Sequence, residues 1–295
     1  MNMDFGFLTY FVVFYMYCFL GWCFESTYVS IGKKKWVNRG FMKGPFLPIY
    51  GSGAVTILFV TGPVVSNPVL VYILSVAAAT VLELVTGVVM EKLFKIRYWD
   101  YSKDFMNYKG YICLKSSIVW GFMGLLATYV INEPAVKIIN SVPVLITGIL
   151  VLVITVIFVV DFAGSFRAAY NLREIILNNA KLMKELNDIK LEITAAIDEK
   201  RIDLNEKKEA VVSEIKDKIE TALSYTEIDD VILEKIGELK NLDIEEYISK
   251  WQDKATLLKE KIKAIDKSKI SLLKRNPSAK SRFGFLKEIK ENNKK

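Results

Sequence analysis

The sequence predicts an all-α, polytopic membrane protein with about five transmembrane helices, followed by a cytoplasmic helical or coiled-coil region. Three observations predict it. Hydrophobic residues make up 52% of the 295 positions, and the mean hydropathy of +0.26 is high for a water-soluble chain. Charge is divided unevenly: Met1 to Phe166 carries 12 basic and 8 acidic residues, whereas the 129 residues from Arg167 onward carry 28 and 25. Within the first part, long uncharged windows alternate with short connections that are either rich in lysine and arginine or nearly bare of charge.

The windows place the spans. Asp4 to Glu25 encloses the first. Its length exceeds the apolar region of a signal peptide and no basic residue precedes it, so the segment is expected to be retained as a span. Lys43 to Glu83 encloses two, separated by Gly62-Pro63 and Asn67-Pro68, which read as a tight turn. Lys115 to Glu133 and Lys137 to Asp161 enclose the fourth and fifth. The expected spans are 5–30, 46–62, 69–93, 116–132 and 142–166, so the membrane domain covers 1–166. Lys33, Lys34, Lys35, Arg39 and Lys43 follow span one; Lys92, Lys95, Arg97, Lys103 and Lys109 follow span three; Arg167 and Arg173 follow span five. Short cytoplasmic loops retain positive charge, which sets the N-terminus outside and the C-terminus in the cytoplasm of a multi-pass cell-membrane protein.

Residues 167–266 form the second region. From Ala168 to Lys267 there is no proline and a single glycine, Gly237, among abundant Glu, Lys, Leu and Ile, the composition of long solvated helices. Leu182, Leu186, Ile189, Ile193 and Ala196 follow coiled-coil spacing, but Lys200 and Asp203 interrupt the seam before Leu204, Val211, Ile215 and Ala222 resume it. Thr226 and Asp243 read as helix N-caps. A short coiled coil, through which the chain would self-associate, and a folded-back helical hairpin fit equally well. Residues 267–295 hold 10 basic and 2 acidic residues with Pro277 and Gly284, and read as a largely disordered basic tail. Lys280, Arg282 and Lys287 interleave with Phe283 and Phe285, a pattern suited to anionic lipid. A solvated chain end explains the same charges. No nucleic-acid-binding module accompanies them, so nucleic acid is not an expected partner.

Composition also excludes chemistry. The chain has no histidine, which removes Ser-His-Asp, Cys-His and histidine-zinc sites. Cys18, Cys23 and Cys113 form no CxxC pair, so neither a disulfide framework nor a thiolate metal centre is expected. No GxxxxGK[ST] sequence is present, so any ATP would be hydrolysed by a partner. The expectation is a protein without catalytic residues, cofactor or metal.

Charges inside the spans are the candidates for function, because a charge in hydrocarbon costs roughly 2.5–3.5 kcal/mol on insertion scales unless it faces protein or water. Glu83 lies in the inner half of span three, with Gly87 and Glu91 on about the same face. Glu25 and Asp161 lie near the inner ends of spans one and five. Snorkelling would account for Glu91 and Asp161. The inner loops concentrate Gly, Pro and aromatic residues, as in Asn38-Arg39-Gly40-Phe41-Met42-Lys43-Gly44-Pro45 and Tyr98-Trp99-Asp100-Tyr101. Glu25, Glu83 and Glu91 would supply negative charge to an ion or polar solute, Arg39 a counter-charge or an anion contact, and Asp100 and Asn107 the loop side of a vestibule. A structural ion-pair network would use the same residues.

These segments carry a resemblance. Asn38-Arg39-Gly40-Phe41, Gly44-Pro45, Pro48-Ile49-Tyr50-Gly51-Ser52-Gly53-Ala54, Leu82-Glu83 with Thr86-Gly87 and Glu91, then Trp99-Asp100-Tyr101-Ser102, Asn107, Gly110, Ile112-Cys113-Leu114, Ser117 and Trp120-Gly121 occur in order. Together they resemble the ABC-transporter type IV (CmpB-like) membrane family across roughly residues 15–135. Tyr98 stands where a second Trp is expected, which keeps the aromatic character. The resemblance implies a permease component driven by an ATPase subunit in trans. Two rivals remain: a membrane-anchored scaffold or sensor acting through the cytoplasmic helices, and an enzyme that uses carboxylates on lipid headgroups.

Overall fold

Helix α1 (Phe7–Lys33) ends where Lys34 adopts the left-handed conformation at φ 51° and its N–H bonds back to Ile31 O and Ser30 O. The computed structural model describes residues 6–200, positions 249, 250, 253, 254, 256, 257 and 260, and residues 267–279. After α1 the chain turns back on itself without regular structure. The segment returns to mid-helix: Leu47 N donates to Cys18 O at 3.0 Å, about 22 Å of helix rise before the end of α1.

Pro48 then starts α2 (Pro48–Thr61) from that internal position, its fixed φ suiting the first turn. Fourteen residues rise about 21 Å, less than the hydrocarbon thickness. The expected second span is therefore a short helix completed by an extended approach, and four helices rather than five are long and apolar enough to cross a membrane. The approach is held by polar side chains, with Val37 N donating to Ser30 Oγ (2.8 Å), Arg39 N to Ser26 Oγ (3.1 Å), and Trp22 Nε1 to Asn38 Oδ1 (2.6 Å). Gly51 lets α2 approach α1 closely: a Cβ there would lie 2.4 Å from Cys18 Sγ and 2.6 Å from Phe14 O. Val13, Tyr17, Ala54 and Leu58 close the same seam further along.

Asn67 caps α3 (Pro68–Phe94), its side chain accepting from Val69 N and Leu70 N. Like α1 it has 27 residues and ends on a left-handed lysine, Lys95 at φ 57°. An irregular segment follows again, and then the short helix α4 (Leu114–Leu125). The chain thus runs twice through the same sequence of long helix, irregular return and short helix. The second return contains an antiparallel bridge between Tyr108 and Ile112.

A π-helical stretch, Leu126–Ile131, joins α4 to α5 (Asn132–Ser141). Pro134 cannot donate a backbone bond and crowds the preceding turn, so the wider π geometry relieves it rather than ending the helix. The expected fourth span accordingly extends to Ser141. Helix α6 (Val144–Lys200) follows and packs Phe158 against Phe14, Tyr15 and Phe46, with Phe162 on Phe41 and Phe166 on Phe94. Its outer faces leave Leu145, Leu152 and Val160 exposed, an apolar surface that suits lipid. The protein is an all-α, multi-pass membrane protein.

The chain divides into two units: Met1–Arg173 with Lys267–Arg282, and Glu174–Asp266 with Phe283–Lys295. In the second, Leu182, Leu186 and Ile189 of the apolar seam are buried and Lys254 pairs with Glu185. The expected caps Thr226 and Asp243 lie outside the described residues, as do Lys280, Arg282, Phe283, Phe285 and Lys287 of the proposed lipid contact. One part of the expected disordered tail is ordered: Lys267–Arg275 forms a helix, α7, which belongs to the first unit. Leu272 and Leu273 are buried there, and the helix ends at Arg275, two residues before Pro277. Apolar burial outweighs the charge density that suggested disorder.

Candidate functional site

Both short helices begin beside a glutamate of the long helix that precedes them. The third residue of α2, Tyr50, donates its hydroxyl to Glu25 Oε1 at 2.9 Å. The third residue of α4, Ser116, donates to Glu83 Oε2 at 3.2 Å. Cys113 caps α4, exchanging bonds with Ser116 and so fixing that serine's position. Trp120, one turn further, also reaches Glu83 Oε2 (3.2 Å), and Tyr101 from the second irregular segment donates to Glu83 Oε1 (3.1 Å). Glu83 is only 5% exposed, and each of its three donors is neutral. The Tyr50 and Trp120 rings, 5.3 Å apart, connect the two halves.

Arg39 supplies the nearby cation. Its Nε lies 3.7 Å from Glu25 Oε2. Burial pushes its guanidinium below the ordinary value while Glu25 acts in the opposite sense, and an arginine remains charged under either influence. Tyr101 is pushed well up, first by burial and then by the charge of Glu83, so it stays a hydrogen-bond donor. The arrangement is a carboxylate pair, one arginine attached to Glu25, and a shell of aromatic and hydroxyl donors around Glu83. Such a site can hold a cation or the positive end of a solute between carboxylates, or a proton on Glu83.

The other predicted residues form a different construction. Glu91 Oε2 accepts from Arg97 Nε (3.0 Å) and lies 2.9 Å from Nη2, and Arg97 Nη1 reaches Asp100 Oδ1 (3.5 Å) and Lys109 O (3.1 Å). The Arg97 guanidinium also stacks 4.7 Å from the Tyr111 ring centroid. Burial acts to lower Arg97, but Glu91, Tyr111 and Asp100 outweigh it and hold the group above its ordinary value. Asn107 folds the loop locally, donating to Ser102 O and Asp104 O and accepting from Gly110 N. Gly110 needs φ +72°, where a Cβ would fall 2.6 Å from Asp100 Oδ1. Glu91, Asp100 and Asn107 therefore organise the loop around Arg97, while Glu25, Arg39 and Glu83 come together.

Asp161 of α6 accepts from Lys43 N (3.1 Å) and Gly44 N (2.7 Å), clamping the first irregular segment. Tyr50, Tyr101, Ser116 and Trp120 were not among the predicted site residues. The spacing of Ser116 and Trp120 after a capping cysteine places them on one helix face, but only the return of each loop shows which carboxylate they meet. Among the described residues no group of three or more Cys, Asp or Glu side chains is gathered as a metal site requires.

Fold and site together define a multi-pass membrane protein that keeps hydrogen-bonded carboxylates inside an apolar helical bundle. The chain belongs to the family described as Putative ABC-transporter type IV, whose model matches residues 12–166, just over half of the sequence. Membership associates it with membrane transport. No curated protein and no solved structure matches the chain.

Proposed function

We propose that this protein is a permease component of a membrane transporter, worked by an ATPase subunit in trans, and that the Glu25–Arg39–Glu83 cluster contacts the solute. The observation that carries the reading is Glu83: a carboxylate 5% exposed within a span, surrounded by neutral donors, beside a second carboxylate. A structural carboxylate in hydrocarbon would be expected to carry its own cation, as Glu91 does with Arg97. Glu83 instead suits a transient positive charge, which points to a cation, a cationic group of a solute, or a coupled proton. The basic connections after α1 and α3 support a cluster toward the cytoplasmic side of the cell membrane, with the N-terminus outside.

Purification of the intact assembly from native membranes, with identification of associated subunits, tests the reading. Co-purification of a P-loop ATPase whose hydrolysis changes with Glu83→Gln supports it. An assembly without an ATPase, whose function survives Glu83→Gln but is lost when the region after Arg173 is removed, would replace it with a membrane-anchored scaffold.

A further inference from the structure

The segment that follows α7 meets the membrane unit at the arginine next to Glu25. Asn276 uses both ends of its side chain: Oδ1 accepts from Arg39 Nη1 at 2.9 Å, and Nδ2 donates to Gly40 O at 2.9 Å and to Leu272 O at 3.0 Å. Ser278 Oγ accepts from Arg39 Nη2 at 3.2 Å and donates to Tyr98 O at 3.0 Å. Arg39 Nη2 itself reaches that same carbonyl at 3.4 Å. The guanidinium is thus held on one side by Glu25 and on the other by two C-terminal residues more than 230 positions away. The contact is made by two neighbouring backbone segments, Arg39-Gly40 of the first irregular return and Tyr98 of the second, both of which flank the carboxylate cluster.

We propose that Lys267–Ala279 is a tethered plug, seated on Arg39, that closes access to Glu83 and opens it on release. The proposal rests on the reading of the carboxylate cluster as a solute site. Asn276 and Ser278 satisfy the guanidinium without bringing a countercharge, so an anionic group arriving at Arg39 would displace them readily. The docked state also contains an opposing element. Arg275 is 6% exposed, and among the described residues none of its three guanidinium nitrogens has a hydrogen-bond partner. Asp161 attracts it, but among the described residues the two are not within ion-pair distance. A cation sealed without acceptors works against docking and brings the docked and released states closer in free energy than the Arg39 bonds alone would. Once released, the helix carries Lys267, Lys269, Lys274 and Arg275, a composition well suited to water.

Site-resolved thiol labelling of the full-length protein tests this with a small cationic methanethiosulfonate reagent, read by mass spectrometry. Ala279, 3% exposed, is replaced by Cys to report docking. Native Cys113, also 3% exposed and 3.6 Å from the Ser116 hydroxyl that reaches Glu83, reports access to that carboxylate. Cys18, fully buried between α1 and α2, reports integrity of the bundle. With Ala279→Cys alone, all three react slowly. Adding Asn276→Ala and Ser278→Ala accelerates Cys113 and the position-279 thiol at least about tenfold and leaves Cys18 unchanged. Arg275→Met, which removes the sealed cation, slows both below the starting rate. A position-279 thiol as reactive before release as after it would show that no docking occurs and overturn the proposal. Release of position 279 with Cys113 still protected would overturn closure, and an equal or faster rate in Arg275→Met would overturn the account of release. None of these rates depends on a transported solute, so failure of the permease reading at Glu83 is scored separately.

Discussion

Tyr50 donates its hydroxyl to Glu25 at 2.9 Å from the third position of α2, and Ser116 repeats the relationship with Glu83 at 3.2 Å from the third position of α4. In both halves a long helix carries the acid, an irregular return brings the chain back, and a short helix begins beside the carboxylate. The return also accounts for the shortness of α2, which starts beside Cys18 inside the bundle instead of at its edge.

Replacing Glu83 separates its packing from its charge. Glu83→Leu leaves the donors of Tyr101 and Trp120 without an acceptor, at about 1–3 kcal/mol for each buried group, while Ser116 Oγ keeps Cys113 O at 3.0 Å. A loss of at least about 2 kcal/mol in unfolding free energy in detergent is expected, whereas Glu83→Gln, which keeps one acceptor oxygen, loses less. Glu133→Gln breaks only an exposed i,i+4 pair with Lys137 and leaves the unfolding midpoint where it is. Greater stability in Glu83→Leu would show that the hydrogen bonds do not offset burial of the acid.

Close helix approach is tested at glycines. A Cβ on Gly124 would lie 2.1 Å from Ser75 Oγ, and one on Gly51 2.4 Å from Cys18 Sγ, whereas nothing lies within 4 Å of the position on Gly148. Gly124→Ala and Gly51→Ala should each lower stability by about 1–3 kcal/mol through overpacking. Gly148→Ala should raise it by up to about 1 kcal/mol through helix propensity. Equal melting temperatures across the three variants would contradict the α1–α2 and α3–α4 seams.

Asp161 holds the first irregular segment by two backbone N–H groups. Asp161→Ala removes both charge-assisted bonds, and a loss of about 2 kcal/mol or more in local stability should follow. Hydrogen exchange at Lys43 and Gly44 would then accelerate roughly thirtyfold. Unchanged exchange at these two amides would mean that the segment is held by its other contacts, those of Asn38 and the buried Phe41 and Met42 among them, without Asp161.

Orientation is open to direct labelling. Ser66, Asn140 and Lys34 are all exposed. Cysteines at Ser66 and Asn140 should react with an impermeant thiol reagent applied outside intact cells, and one at Lys34 only after the membrane is opened. The opposite pattern would reverse the assignment made from the lysine-rich loops.

Much of the architecture was legible in the sequence because it depends on local quantities. Apolar length marks α1, α3 and α6, and Asn67-Pro68 marks the start of α3. Pro48 begins a helix, but sequence cannot show that this start lies at the level of Cys18, since that follows from how far the preceding segment folds back. The second span was accordingly expected to be a full one. Pro134 reads as a helix breaker, and the π stretch that accommodates it depends on continued packing through α5.

The site was legible in part for the same reason. Glu83 and Glu25 stand out because an isolated charge in an apolar window is expensive wherever the window packs, and Arg39 because it lies in a loop too rich in Gly and aromatics to be a plain connector. Which carboxylates meet was decided only by tertiary structure. Arg97 pairs with Glu91 and Asp100 across a loop turn, removing both from the neighbourhood of Glu83. Tyr101 and Trp120 reach Glu83 from 18 and 37 positions away. Asn276 reaches Arg39 across 237. The sequence by itself determined that apolar helices would enter lipid and that their few charges would need partners, since transfer cost depends on residue type and span length. The identity of those partners depends on where irregular segments return, and that is set by side-chain packing and hydrogen bonds formed only once the helices have assembled.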